Sequence, residues 1–241
     1  MSKYPPTQSG FSLIETMIVL IIVLIITGAI FQVINLTTQR TSTEQTKVDM
    51  FQEAREFMDQ MSRDLRQAGY PNPRNIDQSL ITQIPWMNDL RAAAGVVKVD
   101  TGDLWFEGDA DGSGSVSVIQ YHLDTSTTNG CPCLKRSQLF KVNGNPLTGQ
   151  TTPQYQVEVQ GVQNTAIFTA YSNGVAAGLP VTTATSSGTT IATIDTIQAV
   201  LSLQASVVDP QTRTKPVTTL VSTVRLNNCS QSAMGYRMSC Q

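Results

Sequence analysis

The sequence predicts an α+β protein: a long N-terminal α-helix, transmembrane at first and then amphipathic, packed on an antiparallel β-sheet domain. Three observations predict it. Residues 16–39 carry no formal charge and are mostly Ile, Val and Leu. Beyond Gln39, apolar residues recur in steps of three and four as far as Ala68, the periodicity of a helix with one buried face. After residue 95, short runs rich in Val, Ile, Thr and aromatics alternate with Gly, Asn, Pro and Ser turns, the pattern of successive strands.

Composition sets the frame. A chain of 241 residues holds a membrane helix and one sizeable folded domain. The net charge of −2 leaves no electrostatic footprint for nucleic acid. Only 14% of residues are charged while Ser, Thr, Gln and Gly are plentiful, which suits an extracytoplasmic, β-rich surface better than a cytosolic enzyme.

The uncharged run comes first. At about 1.5 Å per residue it spans roughly 36 Å, against roughly 30 Å of bilayer hydrocarbon. Glu15 stands at its edge. An acidic side chain at the centre of a bilayer costs about 2.5–3.5 kcal/mol on insertion scales, so one kept here needs a partner. Ser12 and Glu15 also have the spacing of a capping box, which would satisfy backbone donors at a helix start. A secretory signal cut after Thr27-Gly28-Ala29 and a plain membrane anchor are competing readings. Against the signal, the apolar run continues past Ala29 and only Lys3 precedes it.

The helix is expected to continue through Val48, Phe51, Ala54, Met58, Met61, Leu65 and Ala68, with Met50 and Phe57 widening the stripe. Arg55, Asp59 and Arg63 form an i, i+4 ladder on the other side, worth a few tenths of a kcal/mol per pair. Gly69 and Pro71 end it, one tolerating a left-handed cap and the other forbidding continuation. Residues 11–68 then make one helix of roughly 87 Å.

Residues 72–91 are broken by Pro73 and Pro85, with one short helix expected over 87–94. Strands are expected at 96–99, 103–107, 115–123, 134–140, 155–159, 166–171, 196–208 and 218–226. Residues 174–193, almost all Ala, Thr, Ser and Gly, read as a mobile loop.

Among candidate sites, Asp109, Asp111 and Ser113 offer oxygen at alternate positions before Gly114. That matches the first half of a calcium loop, although Gln120 stands where a bidentate Glu would close the shell. The competing reading is a polar hairpin turn between two strands. His122 lies in a strand and reads as structural. The sequence carries no phosphate-cradling loop, no Gly-x-Ser-x-Gly and no His/Cys metal spacing, so no enzyme is expected. Of the four cysteines, Cys131 and Cys133 are too close for an easy mutual bridge. They bridge each other, stay reduced, or cross to Cys229 and Cys240.

Gly10-Phe11-Ser12-Leu13-Ile14-Glu15 ahead of an apolar helix resembles the type IV prepilin signature. The resemblance implies that a prepilin peptidase cuts between Gly10 and Phe11 and that the new Phe11 amine is methylated. It further implies that Glu15 meets the amine of a neighbouring subunit in a helical filament. Residues 1–10 would be leader, 11–39 the transmembrane and filament-core helix, 40–69 its amphipathic continuation, and 70–241 a β-rich head. A Cys229–Cys240 bond closing a C-terminal loop, as in many pilins, is part of the same expectation. Asp64-Leu65-Arg66-Gln67-Ala68-Gly69-Tyr70 resembles the helix end of PilW-like minor pilins, as do Val162, Phe168, Tyr171 and residues 222–227, where Asn227 replaces the usual arginine. The partners implied are the peptidase/N-methyltransferase, other pilins and the inner-membrane assembly platform. The head would be periplasmic first and part of a surface pilus later. A J-type pseudopilin of type II secretion, or a membrane-tethered module binding calcium, DNA or a surface, are the alternatives.

Overall fold

A computed structural model of the chain describes residues 10–72, 76–127, 130–183, 189–209 and 212–227. Helix α1, Leu13–Gln67, has 55 residues and is about 82 Å long at 1.5 Å per residue. Residues 10–42 are exposed throughout, and α1 is long and apolar enough to cross a membrane. Near the boundary of this half, the hydroxyls of Thr37, Thr38, Thr41, Thr43 and Thr46 each donate to the carbonyl four residues back, at 2.8–3.0 Å.

The upper half of α1 buries Ala54, Phe57, Met58, Met61 and Leu65 against the sheets. The expected stripe is therefore shortened at its lower end. Val48 and Phe51 stay 52% and 43% exposed, although the head reaches below them: Thr43 is 6% exposed and Lys47 Nζ lies 3.5 Å from Asp209 Oδ2. Arg55, Asp59 and Arg63 are exposed and, among the described residues, make no ion pair with one another.

Among the described residues ten strands follow, all paired antiparallel. Strands β1 (Gly95–Val99), β2 (Asp103–Gly108), β3 (Ser117–Asp124), β4 (Cys133–Phe140), β5 (Gln156–Gln160) and β8 (Val181–Thr182) form one sheet in the order β5-β4-β3-β2-β1-β8. Strands β6 (Phe168–Ser172), β7 (Val175–Ala176), β9 (Thr196–Gln204) and β10 (Val217–Arg225) form the second, ordered β10-β9-β6-β7. Strand β9 alternates strictly, burying Ile197, Ala199, Leu201 and Leu203. These join Leu104, Phe106, Ile119, Tyr121 and Leu134 of the first sheet and the buried face of α1 in one core.

The other face of the six-stranded sheet carries a second apolar cluster. Trp86, Ala92, Ala94 and Val97 pack there with Trp105 and Leu147. Lys141 fastens it: its buried Nζ donates to the Met87 carbonyl (2.6 Å), the Ala92 carbonyl (2.7 Å) and Glu107 Oε2 (2.6 Å). Burial pushes the Glu107 carboxyl up, opposed by the Lys141 ammonium.

Two expectations need correction. In place of a helix over 87–94 there is a 3-10 turn at Trp86–Asn88; Lys141 takes the Met87 carbonyl and Asp89 Oδ1 takes the Arg91 N–H, the two groups one helical bond would join. The described parts of the expected loop, residues 174–183 and 189–193, are anchored. They supply β7, β8 and a short helix α2, Thr189–Ala192, with Val181, Ile191 and Ala192 buried. Single apolar anchors hold this stretch, without the alternation that marks longer strands.

Cys131 and Cys133 are bonded to each other, with Cα atoms 4.4 Å apart, at the short end of the range a disulfide spans. The expected Cys229–Cys240 bond lies outside the described residues, as do positions 1–9 of the expected leader.

Candidate assembly site

The start of α1 presents a carboxylate among apolar side chains. Ser12 is extended (φ −70°, ψ 141°) and its hydroxyl makes no capping bond. The expected capping box is absent for a local reason. The Ser12 carbonyl takes the Glu15 N–H at 3.0 Å and the Thr16 N–H at 3.2 Å, so the donor a hydroxyl would satisfy is already used. Glu15 is thus exposed and has no side-chain partner among the described residues. Its neighbours Phe11 and Leu13 are about four-fifths exposed, at 84% and 78%. Phe11, Leu13, Thr16, Met17, Leu20 and Ile21 line a shallow apolar groove beside it.

Every large apolar side chain from Leu13 to Leu36 is at least half exposed. Each is worth about 1.5–3 kcal/mol when fully buried, so this surface demands lipid or other helices. The fold itself leaves it uncovered.

How this shaft meets the head is fixed by residues that sequence reasoning missed. Asp64, on the buried face of α1, is only 6% exposed. Its Oδ2 accepts from the Tyr121 hydroxyl (2.8 Å), Arg136 Nε (3.0 Å) and an Arg136 terminal nitrogen (2.8 Å). Tyr121 and Arg136 are register partners on β3 and β4, so one antiparallel pair delivers both donors to one helix carboxylate. Burial, and then the charge of Asp64, push the Tyr121 hydroxyl well above its ordinary value. The available signal was an acid at a core position of the stripe, one residue before Leu65.

At its upper end α1 is stitched to β2. Gly69 (φ 81°) donates to the Glu107 carbonyl at 2.8 Å, and Asp109 donates to the Tyr70 carbonyl at 2.9 Å. Gly108 sits so close that a Cβ would fall 2.4 Å from the Gln67 carbonyl oxygen.

The remaining candidates are dispersed. Asp109, Asp111 and Ser113 lie on the turn joining β2 to β3, as the hairpin reading expects. Gln120 is buried on β3, where its Oε1 accepts from the Tyr155 hydroxyl at 3.0 Å, remote from that turn. His122 faces Asp103 across β2–β3, with Nδ1 2.6 Å from Asp103 Oδ1, and Lys98 Nζ lies 2.8 Å from Asp103 Oδ2. Burial raises the Asp103 carboxyl, but the bonds from Lys98 and His122 outweigh it and hold it below the ordinary value.

A long N-terminal helix packed on antiparallel β-sheets is a pilin-like α+β fold. Residues 6–31 match the family model described as the prokaryotic N-terminal methylation motif, which implies processing by a prepilin peptidase and agrees with membrane anchoring of a prepilin through α1. Among solved structures, the chain is similar to a type IV-like pilin from Thermus thermophilus, at 11% identity over 56% of this chain and 84% of that one, with a TM-score of 0.33. No curated protein matches the chain.

Proposed function

We propose that this protein is a minor pilin of a type IV pilus. A prepilin peptidase removes residues 1–10 on the cytoplasmic side and the Phe11 amine is methylated. The chain then passes from the inner membrane into or onto the tip of the filament. The observation that carries the reading is Glu15: an exposed carboxylate with no partner among the described residues, at the start of a helix whose apolar surface is open on all sides. A carboxylate and an ammonium together in low dielectric are far cheaper than either alone. The Phe11 amine of an adjoining subunit is the cation that processing creates at the same depth. Pairing them sets the stagger between shafts that would otherwise slide. The resemblance of residues 64–70 to PilW-like helix ends supports a minor rather than a major subunit.

Mass spectrometry of the mature chain tests the processing step. A chain beginning at N-methylated Phe11 is the expected result, and one beginning at Met1 or Ile30 would overturn it. Deleting the gene separates pilus from secretion: loss of surface pili is expected, and loss of protein export alone would point to a type II secretion pseudopilin.

A further inference from the structure

We infer that the turn joining β2 to β3, residues 109–116, binds a calcium ion through Asp109, Asp111 and Ser113. The argument starts at Asp109. Its backbone N–H is held by the Tyr70 carbonyl and the residue is only 5% exposed. Its carboxylate points into the turn, because Oδ2 accepts from the Gly114 N–H at 2.9 Å. The other oxygen, Oδ1, is buried and has no hydrogen-bond partner. A buried carboxylate oxygen left unpaired costs several kcal/mol unless something cationic reaches it.

The surroundings supply further oxygen and no competing cation. The Asp111 carboxylate lies on the same turn and uses Oδ1 for the Ser113 N–H at 3.1 Å. The Ser113 hydroxyl lies on the same turn, where it receives the Ser115 N–H at 3.3 Å. Gly112 and Gly114 both have positive φ, 70° and 81°, and curl the chain around the two acids. Among the described residues neither acid pairs with Lys or Arg. Lys141 is committed to Glu107, and Arg136 to Asp64.

The donor chemistry selects the ion. Carboxylates and a hydroxyl, with no imidazole or thiolate, favour a hard cation over zinc. An adaptable turn that offers three side chains suits calcium better than magnesium, which demands a near-ideal octahedron. Gln120 is held by Tyr155 on β3, so the bidentate closing ligand of a helical calcium loop is missing and water completes the shell. The affinity expected is that of extracellular modules, roughly 10⁻⁴–10⁻³ M.

The test uses the full chain in detergent micelles, stripped with a chelator and titrated with CaCl₂ by calorimetry at physiological salt, with MgCl₂ in parallel. Expected are one calcium per chain, much weaker heat from magnesium, and an affinity lowered tenfold or more in Asp109→Asn and in Asp111→Asn. Thermal unfolding should rise with added calcium in the parent and not in the variants. Absence of saturable heat up to about 10 mM, some ten times the weakest affinity expected, would overturn the inference. So would binding that survives both substitutions, or magnesium binding as tight as calcium. Should Asp109→Asn fail to fold, Asp111→Asn decides alone, since Asp111 is exposed and its substitution spares the core.

Discussion

Glu15 and Asp64 are both acids on α1, and they do opposite things. Glu15 meets no side-chain partner among the described residues. Asp64 has three donors, and removing Arg136 would leave that buried charge with Tyr121 alone. Arg136→Met is therefore expected to destabilise the head by about 2–4 kcal/mol, the lower part of the usual range because some water reaches this arginine. Thermal unfolding measures it, and an Asp64→Leu/Arg136→Met double variant should recover most of the loss. Glu15 was legible because an acid breaks the pattern of an uncharged run. Asp64 was not, because it sits among charges in a helix where an acid is ordinary, and only the β3–β4 register shows that it is buried. At Asp103 the sign of a pH effect follows from its lowered carboxyl. The stabilisation it contributes is present above its ordinary value near 3.8 and is lost as acid takes the pH down through the folded value. Asp103→Asn should flatten the acid limb of a melting-temperature profile.

At the scale of elements, eight strand expectations fall within a residue or two of observed strands, apart from the overrun of β9, because each is a run of five or more residues rich in Val, Ile, Thr or aromatics and bounded by turn residues. Strands β7 and β8 were illegible for the converse reason: each has two residues, too few for a period to show. The segment around Trp86 was hidden because its order comes from Lys141, which lies beyond β4 in sequence. The helix end was legible from Gly69 and Pro71, but not its closeness to β2. Gly108→Ala should force the two backbones apart and destabilise the fold by about 1–3 kcal/mol, as overpacking does, read as a lower melting temperature. An alanine at Gly112, whose φ is 70° but whose surroundings are open, should cost less, limited to the strain of a left-handed backbone at about 1–2 kcal/mol.

For the whole molecule, shaft and head are held to different standards. The head satisfies itself with two sheets, a shared core and a second cluster. The shaft is finished only by company. Glu15→Gln is expected to leave head unfolding unchanged while reducing recovery of the chain in sheared filaments by about tenfold or more, a coupling of about 1.4 kcal/mol or more. Immunoblots of filament and membrane fractions check it. Normal recovery would remove the proposed pairing.

The threonines at the top of the bare stretch have one more implication. Each hydroxyl is already spent on the turn below it, so the threonines themselves add little polarity, but Gln39, Arg40, Glu44 and Gln45 stand exposed among them and keep the zone polar. Drawing this zone into oil would strand those four side chains, which sets an upper limit on how deep the shaft can sit.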